Sequence, residues 1–416
     1  MAGAGAVGRA ANAAMTWLLA RRDRLPKPVN RLIDDVAKNP DGFAGRLAAR
    51  LLGGAGKRVP PPTEVPCTAV RIYVGPTNYA GQGWHWARSL ERTSADIGAR
   101  NMAIELPGGF AFRADSLVPV GIHTASKKWQ RAELEAVGQF THVLFEAERP
   151  LFGPLFHRDV AREIAELQKR GASCAFMCHG TDVRSPRLHM ERDPLSPYFD
   201  DPLTAVLERE ADANLQLLAA HDLPIFVSTP DLLIDVPSAQ WCPVVIDIAS
   251  WPVGREPLSG KTPVVVHVPS MGHVKGTHLI EQPMRAAHDR GAIEYRSTTG
   301  VPSAAMPAVI GDADIVLDQF RIGSYGVAAV EAMASGRVVI GHVLPDVREL
   351  VAERTGLALP IVEAVPETLE DVVLDLVSDR PRMLSLAADG RRFAEQVHSG
   401  ERSAQVLRRF WIDARS

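Results

Sequence analysis

Apolar runs of strand length alternate with amphipathic segments of helix length along most of this 416-residue chain. The first series predicts five strands, at residues 70–74, 102–106, 142–145, 174–178 and 225–228. Helices are predicted around and between them, at residues 84–92, 127–137, 158–170 and 203–218. Alternation of this kind indicates a parallel sheet covered by helices on both faces. The pattern therefore predicts an α/β fold.

A second alternating series follows a proline-flanked crossing at residues 244–247. Its predicted elements, in chain order, are a strand at 264–268, a helix from 277, a strand at 293–295, a helix near 303–310, strands at 315–317 and 338–340 on either side of a helix, and helices at 369–376 and 383–397. The sequence thus predicts two Rossmann-like doubly wound domains, at residues 67–246 and 247–399. A final helix is expected within residues 400–416.

The composition is that of a globular protein, with 46% apolar and 23% charged residues. A net charge of −3 gives no support for nucleic-acid binding. No apolar run approaches the length of about 18 residues that a spanning helix needs, and the apolar core at residues 15–20 is too short for a signal peptide. We therefore expect a cytoplasmic protein. Four scattered cysteines are interpreted as thiols rather than as a metal site: Cys67, Cys174, Cys178 and Cys242.

The first 60 residues carry a surplus of seven positive charges, which leaves −10 on the remainder. Apolar residues recur among the bases, and a proline-rich linker closes the segment, so residues 1–66 are predicted to form a basic helical extension. Three interpretations stay open, and disorder of the segment is one of them. The extension is an arm packed on its own enzyme or on a second subunit, or it attaches the protein peripherally to anionic lipid at the inner face of the membrane.

One carboxylate, Glu331, stands inside a run of small apolar residues from Val327 to Ala334. A helix this poor in bulk packs tightly on a sheet, and a buried carboxylate is costly without a partner. The turn at residues 323–326, Gly-Ser-Tyr-Gly, precedes this helix, and helix N-termini attract phosphate. The spacing favours a nucleotide site, with a diphosphate at the turn and ribose hydroxyls on Glu331.

The segment from Asp314 to Ile340 resembles the donor-binding region of retaining GT-B-fold glycosyltransferases of the group-1, family 4-like, superfamily. The shared features are a Gly-aromatic-Gly type of turn, here Tyr325-Gly326, the sequence Glu-Ala-Met-Ala-x-Gly from Glu331, and a following apolar strand. The resemblance implies the GT-B fold, with an acceptor domain, a donor domain, and a last helix that returns to the first domain. The family usually has another glutamate eight positions before Glu331, where this chain has Gly323.

The resemblance also implies roles in donor binding. Lys275-Gly276 matches the family's Lys-Gly after the first strand of the second domain, whereas Ser270 stands at the family's arginine position. Arg321 is a candidate for the missing cation. The predicted donor-binding residues are Gly81, Gly83, Ser270, Lys275, Gly300, Val301, Gly323, Ser324, Tyr325, Gly326, Val327 and Glu331.

Two loops of the first domain complete the candidate site. The loop after the first strand is rich in glycine but lacks the dinucleotide fingerprint. His179 follows a predicted strand, and the resemblance implies that it reaches toward the sugar; an alternative there is a local ion pair between Asp182 and Arg184. The predicted catalytic residues are His179, Lys275, Arg321 and Glu331, and the acceptor-side candidates are Asn78, Gln82, Trp84, His85 and Asp182.

The resemblance implies a retaining, metal-independent glycosyltransferase that moves a sugar from a nucleotide diphosphate sugar to an acceptor hydroxyl. No cofactor is expected besides the donor. A glycan or lipid-linked acceptor in cell-envelope glycan, polysaccharide or glycolipid synthesis fits the basic extension. Two alternatives remain, a non-catalytic sugar-nucleotide-binding or assembly subunit of the same fold and a GT-B-fold sugar-nucleotide epimerase. No carboxylate pair has the nucleophile and acid roles of a glycosidase.

Overall fold

The computed structural model describes residues 59–106, 112–269 and 272–414. Contacts divide the chain into a unit that ends at Met177 and a unit that begins at Cys178. Most of the basic extension lies outside the described residues. In the part of the chain that is described, no helix combines the length and the apolar character needed to cross a membrane.

The first sheet has seven strands in the order β3-β2-β1-β4-β5-β6-β7. The pairs β1–β2, β1–β4, β2–β3, β4–β5 and β6–β7 run parallel. The strands are β1 Val70–Gly75, β2 Ile97–Glu105, β3 Ser116–Pro119, β4 His142–Glu146, β5 Ser173–Cys178, β6 Ile225–Val227 and β7 Gln240–Trp241. The five predicted strands of the first series are all present, and β3 and β7 are additional.

The second sheet has five strands in the order β12-β11-β10-β8-β9, again with parallel pairing. Its strands are β8 Val264–His267, β9 Glu294–Ser297, β10 Ile315–Leu317, β11 Val338–Gly341 and β12 Ile361–Glu363. The two parallel sheets confirm the predicted α/β class. Residues 242–247 form neither strand nor helix, in line with the crossing predicted at 244–247.

Helices connect the strands, as parallel pairing requires. They are Gln82–Glu91, Val120–Ala125, Lys127–Val137, Val160–Lys169, Pro186–Arg192, Thr204–Ala219, Gly272–Lys275, Thr277–Asp289, Met306–Gly311, Val327–Ala334, Pro345–Thr355, Leu369–Ser378, Arg380–His398 and Glu401–Leu407. Ser126, Asp159, Ser185 and Asp379 cap the N-termini of four of them by accepting a backbone N–H.

The second sheet is buried because apolar side chains cover it on each face. Val265, Ile315 and Ile340 are fully buried. Helix Thr277–Asp289 contributes Ile280 and Met284 to the same core. The short strands are almost continuously apolar, which is typical of parallel strands with two covered faces. The polar loops at the strand ends are thereby left at the edges of the sheet.

The C-terminal helix Glu401–Leu407 is fixed to the segment that links the two sheets. The Ser403 hydroxyl donates to the Pro243 carbonyl over 2.7 Å. His398 bonds the same segment, with Nδ1 2.7 Å from the Val244 carbonyl. The predicted last helix is present, and these bonds tie the end of the chain to the linking segment.

Candidate active site

The strand order places the switch point of the second sheet between β8 and β10. β8 lies between β9 and β10, so the chain leaves these neighbouring strands in opposite directions. Open parallel sheets bind ligands beyond the carboxyl ends of the strands at such points. The loop after β8 carries Lys275, and the loop after β10 carries Asp318 and Arg321. The topology therefore points to this edge as the candidate ligand site.

Lys275 and Asp318 form an ion pair at this edge. The Lys275 Nζ lies 2.8 Å from Asp318 Oδ1, and the two side chains are 16% and 3% exposed. His267, the last residue of β8, is held by two hydrogen bonds, with Nδ1 donating to the Leu317 carbonyl and Nε2 accepting from the Thr277 hydroxyl, each over 2.9 Å. Burial lowers the pKa of His267 to about 4. The imidazole of His267 is therefore uncharged and fixed at the end of β8.

Glu331 lies on helix Val327–Ala334, close to this pair. Burial raises the pKa of its carboxyl to about 8, the Lys275 charge opposes that rise, and Asp318 adds to it. Among the described residues, no side chain or backbone group is hydrogen-bonded to the Glu331 carboxyl, and the residue keeps part of its surface accessible. A buried carboxyl without a hydrogen-bond partner destabilises the folded protein. Groups with such perturbed pKa values cluster at ligand-binding and catalytic sites.

The side chains of the turn before this helix lie against other parts of the protein. The Ser324 hydroxyl donates to Asp231 over 2.6 Å. The Tyr325 ring is buried, and its hydroxyl lies 3.4 Å from Nε2 of His398. The helix starts at Val327 after Gly326 without a side-chain cap. The first N–H groups of a helix have no intrahelical partner. The N–H groups at the start of this helix can therefore donate hydrogen bonds to a phosphate.

Gly323 stands where the similar family has a glutamate, and its geometry explains the difference. Its φ is +65°, a backbone conformation that residues other than glycine rarely adopt. A Cβ there would lie 2.6 Å from Cγ of Leu344 and 3.1 Å from Oδ2 of Asp193. Leu344 therefore occupies the space that a glutamate side chain would need.

Arg321 is buried and bonded to a neighbouring loop. Its guanidinium donates to the carbonyls of Leu195 and Ser196 over 3.0 and 2.9 Å. It also donates to Asp200 over 2.6 Å. A guanidinium has five donors, and at least three of them are used here. A role for Arg321 on a diphosphate stays a prediction, and it would require some of these bonds to be exchanged.

Three more of the predicted donor-binding residues belong to the second unit: Gly300, Val301 and Ser270. Gly300 and Val301 follow β9 in a partly exposed loop, and the parallel pairing of β9 with β8 brings this loop to the edge that carries Lys275. Ser270 lies outside the described residues.

His179 and Asp182 form a tight turn after β5. The Asp182 carboxylate accepts the backbone N–H of His179 over 2.7 Å and that of Gly180. Asp182 therefore shapes the turn, and the His179 side chain is partly buried. Arg184 bonds Asp231 through Nε and Nη2, over 3.1 and 2.5 Å. The alternative of a local ion pair between Asp182 and Arg184 is wrong, because the guanidinium is held by Asp231.

The first unit has a switch point of its own between β1 and β4. The loop after β1 is fixed there by Glu146, the last residue of β4, whose carboxylate accepts the N–H groups of Thr77 and Asn78 over 3.1 and 3.0 Å. Asn78 is 3% exposed. Its amide nitrogen donates to the Arg113 carbonyl, and its amide oxygen accepts from the Trp84 N–H. Asn78 thus organises the loop in this structure.

The other first-unit candidates lie at the start of the helix that follows. Gln82 is buried, and its amide donates to the Ala80 carbonyl over 3.4 Å. The Trp84 ring lies 5.2 Å from the His85 ring and 4.5 Å from the Arg113 guanidinium. Two glycines, Gly81 and Gly83, flank Gln82, and a Cβ on the second would collide with Asn101 and approach Glu146.

Three acidic residues with clear structural roles were not selected from the sequence. Asp318 and Glu146 come directly after apolar runs, the same signal that selected His179, so attention to strand ends could have found them. Asp231 offers no local signal, because its partners Arg184 and Ser324 lie 47 and 93 positions away in the chain.

The sequence matches no protein-family model and no curated protein. Solved structures are similar in fold. A sucrose-phosphate synthase from Thermosynechococcus elongatus has a TM-score of 0.52 and 11% identity, covering 82% of this chain and 98% of that one. Anabaena Alr3699/HepE, in complex with UDP and glucose, has a TM-score of 0.51 and 11% identity, over 82% and 99%.

WaaG, a glycosyltransferase involved in lipopolysaccharide biosynthesis, is similar with a TM-score of 0.50 and 12% identity, covering 82% of this chain and 99% of that one. Identities at this level establish the fold alone. Together with the two parallel sheets, they confirm the predicted GT-B fold of the chain.

Proposed function

We propose that this protein is a glycosyltransferase that moves a sugar from a nucleotide diphosphate sugar to an acceptor hydroxyl, with retention at the anomeric carbon. The observation that carries the proposal is the group formed by Lys275, Asp318 and Glu331 beside an uncapped helix start. This group lies at the switch point of the second sheet, where the fold favours a ligand.

The two ends of the group suit the two ends of a nucleoside diphosphate. Lys275 and the N–H groups at the start of helix Val327–Ala334 supply positive charge and donors for the diphosphate. Glu331, which lacks a hydrogen-bond partner among the described residues, would bond the ribose hydroxyls. Binding would therefore satisfy a carboxyl that is costly in the free protein.

Catalysis would rest mainly on stabilising the departing nucleotide. Negative charge grows on the leaving diphosphate as the glycosidic bond breaks, and fixed donors aimed at that charge lower the barrier. Lys275 would be the principal cation. His179, at the carboxyl end of β5, would contact the transferred sugar. We propose that no metal is needed, since lysine and helix N–H groups can neutralise the diphosphate.

The neighbours suggest the substrate class. HepE was solved with UDP and glucose and also with UDP-glucose, and WaaG acts in lipopolysaccharide biosynthesis. We therefore place UDP first among candidate nucleotides and a glycan or lipid-linked molecule first among acceptors. The basic extension at residues 1–66 would support work at the inner face of a membrane.

A non-catalytic, sugar-nucleotide-binding role is the second candidate, and two observations favour it. Leu344 fills the space beside Gly323, and Arg321 is bonded to Leu195, Ser196 and Asp200. A chain without these two side-chain contacts to the donor could retain the nucleotide and lose turnover.

Turnover separates the two candidates. The protein is incubated with UDP-, GDP- and ADP-hexoses, and free nucleoside diphosphate is followed by ³¹P NMR, with and without glycan acceptors. The proposal predicts release from one donor, and loss of that release in Lys275→Ala. Lys261→Ala is the matched control, because Lys261 is exposed and precedes β8 at its opposite end.

The configuration of the product tests retention, and ¹H NMR of its anomeric proton gives that result directly. An inverted anomeric centre would refute retention while leaving glycosyl transfer intact. Nucleotide binding without release from any donor would favour the non-catalytic role.

A further inference from the structure

A buried network of three side chains connects the turn at residues 323–326 with the loop that carries His179. Asp231 lies at its centre. One oxygen of its carboxylate accepts from the Ser324 hydroxyl over 2.6 Å, and the other accepts from Arg184 over 3.1 and 2.5 Å. Arg184, Asp231 and Ser324 are 7%, 5% and 2% exposed. The network is therefore sealed from solvent.

The two ends of the network reach the two loops through further bonds. The Arg184 N–H donates to the Gly180 carbonyl over 2.8 Å, inside the turn that Asp182 closes. At the other end, the Ser324 carbonyl accepts from the Gln319 side chain, one residue after Asp318. The network thus runs from the His179 turn to the loop after β10, which carries Asp318, the partner of Lys275.

The charge balance indicates a fixed arrangement. Burial alone would raise the pKa of Asp231, but the Arg184 charge and the bonds from Ser324 and Arg184 hold it below its usual value. Asp231 therefore stays ionised beside a guanidinium that stays protonated. Ionised, two-point hydrogen bonds of this kind are short and directional. A buried ion pair adds little net stability to a protein, although removal of one partner is strongly destabilising. The role of this pair is therefore better explained by the geometry that it imposes than by stability.

We infer that Asp231 is a positioning residue. It fixes the phosphate-binding turn through Ser324, and through Arg184 it sets the position of this turn relative to the His179 loop. This inference rests on the proposed function of the same site. It assigns the Ser324 hydroxyl to Asp231 rather than to the donor, and it leaves the backbone N–H groups of the turn and of the helix start as the diphosphate contacts.

Positioning makes a prediction that simple stabilisation does not. Removal of the Ser324 hydroxyl frees the turn to move, and misplacement of donors weakens phosphate binding even though no ligand contact is deleted. Within the described residues, Arg184 hydrogen-bonds to Asp231 and Gly180 and not to the turn or its helix, yet its substitution should weaken binding through the same path. The two effects should also be non-additive, because both act on one network.

The test is calorimetric titration with UDP, GDP and ADP of the native protein, Ser324→Ala, Arg184→Lys and the double variant. Ser403→Ala is the matched control, since its hydroxyl is also fully buried and bonded, to the Pro243 carbonyl. Unfolding midpoints confirm that each variant is folded. We expect a loss of roughly fivefold or more in affinity for each network variant, no further loss in the double variant, and unchanged affinity in Ser403→Ala.

Three results would overturn the inference. Affinity within twofold of native in Ser324→Ala would show that the turn does not need its anchor. Independent, multiplying losses in the double variant would show two separate effects. An equal loss in Ser403→Ala would reduce the effect to general stability. A native protein that binds none of the three nucleotides would overturn the proposed function as well, which distinguishes the two failures.

Discussion

Substitution of Glu331 by glutamine should make the protein more stable, and by an amount that grows with pH. In the folded protein, burial raises the pKa of Glu331 from 4.5 to about 8. Between these values the folded state keeps a proton that the unfolded chain has lost. By linkage, the contribution of Glu331 to stability therefore falls as pH rises through this window, and it is fully lost above pH 8.

The size of the effect follows from the pKa values. A tenfold change in proton affinity is about 1.4 kcal/mol, so a rise from 4.5 to about 8 has an upper limit of roughly 5 kcal/mol. Glu331 keeps part of its surface accessible, and solvent screening reduces the value. We expect Glu331→Gln to gain roughly 2–4 kcal/mol over native at pH 8.5 and almost nothing at pH 4.5.

Urea unfolding of native protein and variant at pH 4.5, 6, 7 and 8.5 gives the difference directly, and comparison of the two cancels every other titrating group. Glu363→Gln is the control. Burial alone would raise the pKa of Glu363, but hydrogen bonds from His342, Val343 and Arg348 outweigh that effect and hold the pKa below its usual value. That variant should be less stable than native at pH 7. If Glu331→Gln is less stable than native, or if its gain in stability does not change with pH, the conclusion that burial raises the pKa of the Glu331 carboxyl is wrong.

Four further predictions concern Lys275, the turn at Gly323, metal dependence and the basic extension. Lys275→Ala should weaken nucleotide binding by tenfold or more, about 1.4 kcal/mol, while Lys261→Ala binds as native; equal affinities in calorimetry would remove Lys275 from the site. Gly323→Ala should cost roughly 2–4 kcal/mol, from the positive φ and from overpacking against Leu344. Gly300→Ala, with a φ of +70° and open space around its Cβ, should cost about 1 kcal/mol, and equal unfolding midpoints would contradict the clash. EDTA should leave nucleotide release unchanged if the reaction is metal-independent; a loss restored by Mg²⁺ would contradict that. Deletion of residues 1–60 should abolish binding to vesicles that contain anionic lipid if the extension is a membrane anchor, and sedimentation of the truncated chain with vesicles would exclude the anchor.

The sequence predicted the fold well where the signal was local. Parallel strands buried on both faces are continuous apolar runs, so β1, β4, β5, β8, β10 and β11 stand out. The three strands that were missed, β3, β7 and β12, are two to four residues long and lie at sheet edges. Edge strands have one neighbour and more solvent contact; Leu117 in β3 is 49% exposed. Their composition therefore resembles that of loops.

The site was predictable where one segment contains the whole signal. Glu331, the small-residue helix and the turn before it lie within a dozen residues, and the structure places them with Lys275 and Asp318 at one sheet edge. The side-chain partners were not predictable. The bond from Ser324 to Asp231 and those from Arg321 to Leu195, Ser196 and Asp200 join residues far apart in the chain. Only the fold decides which side chains at the edge remain free for a ligand.

We propose that a nucleoside diphosphate binds to Lys275, to Glu331 and to the N–H groups at the start of helix Val327–Ala334. Calorimetric titration of native protein with UDP, GDP and ADP tests it most directly, with Glu331→Ala as the variant and Glu353→Ala, an exposed glutamate of helix Pro345–Thr355, as the control. We expect that one nucleotide binds, that Glu331→Ala weakens its binding by tenfold or more, about 1.4 kcal/mol, and that Glu353→Ala leaves the affinity unchanged. No binding to native protein, or equal binding to native and Glu331→Ala, would contradict it.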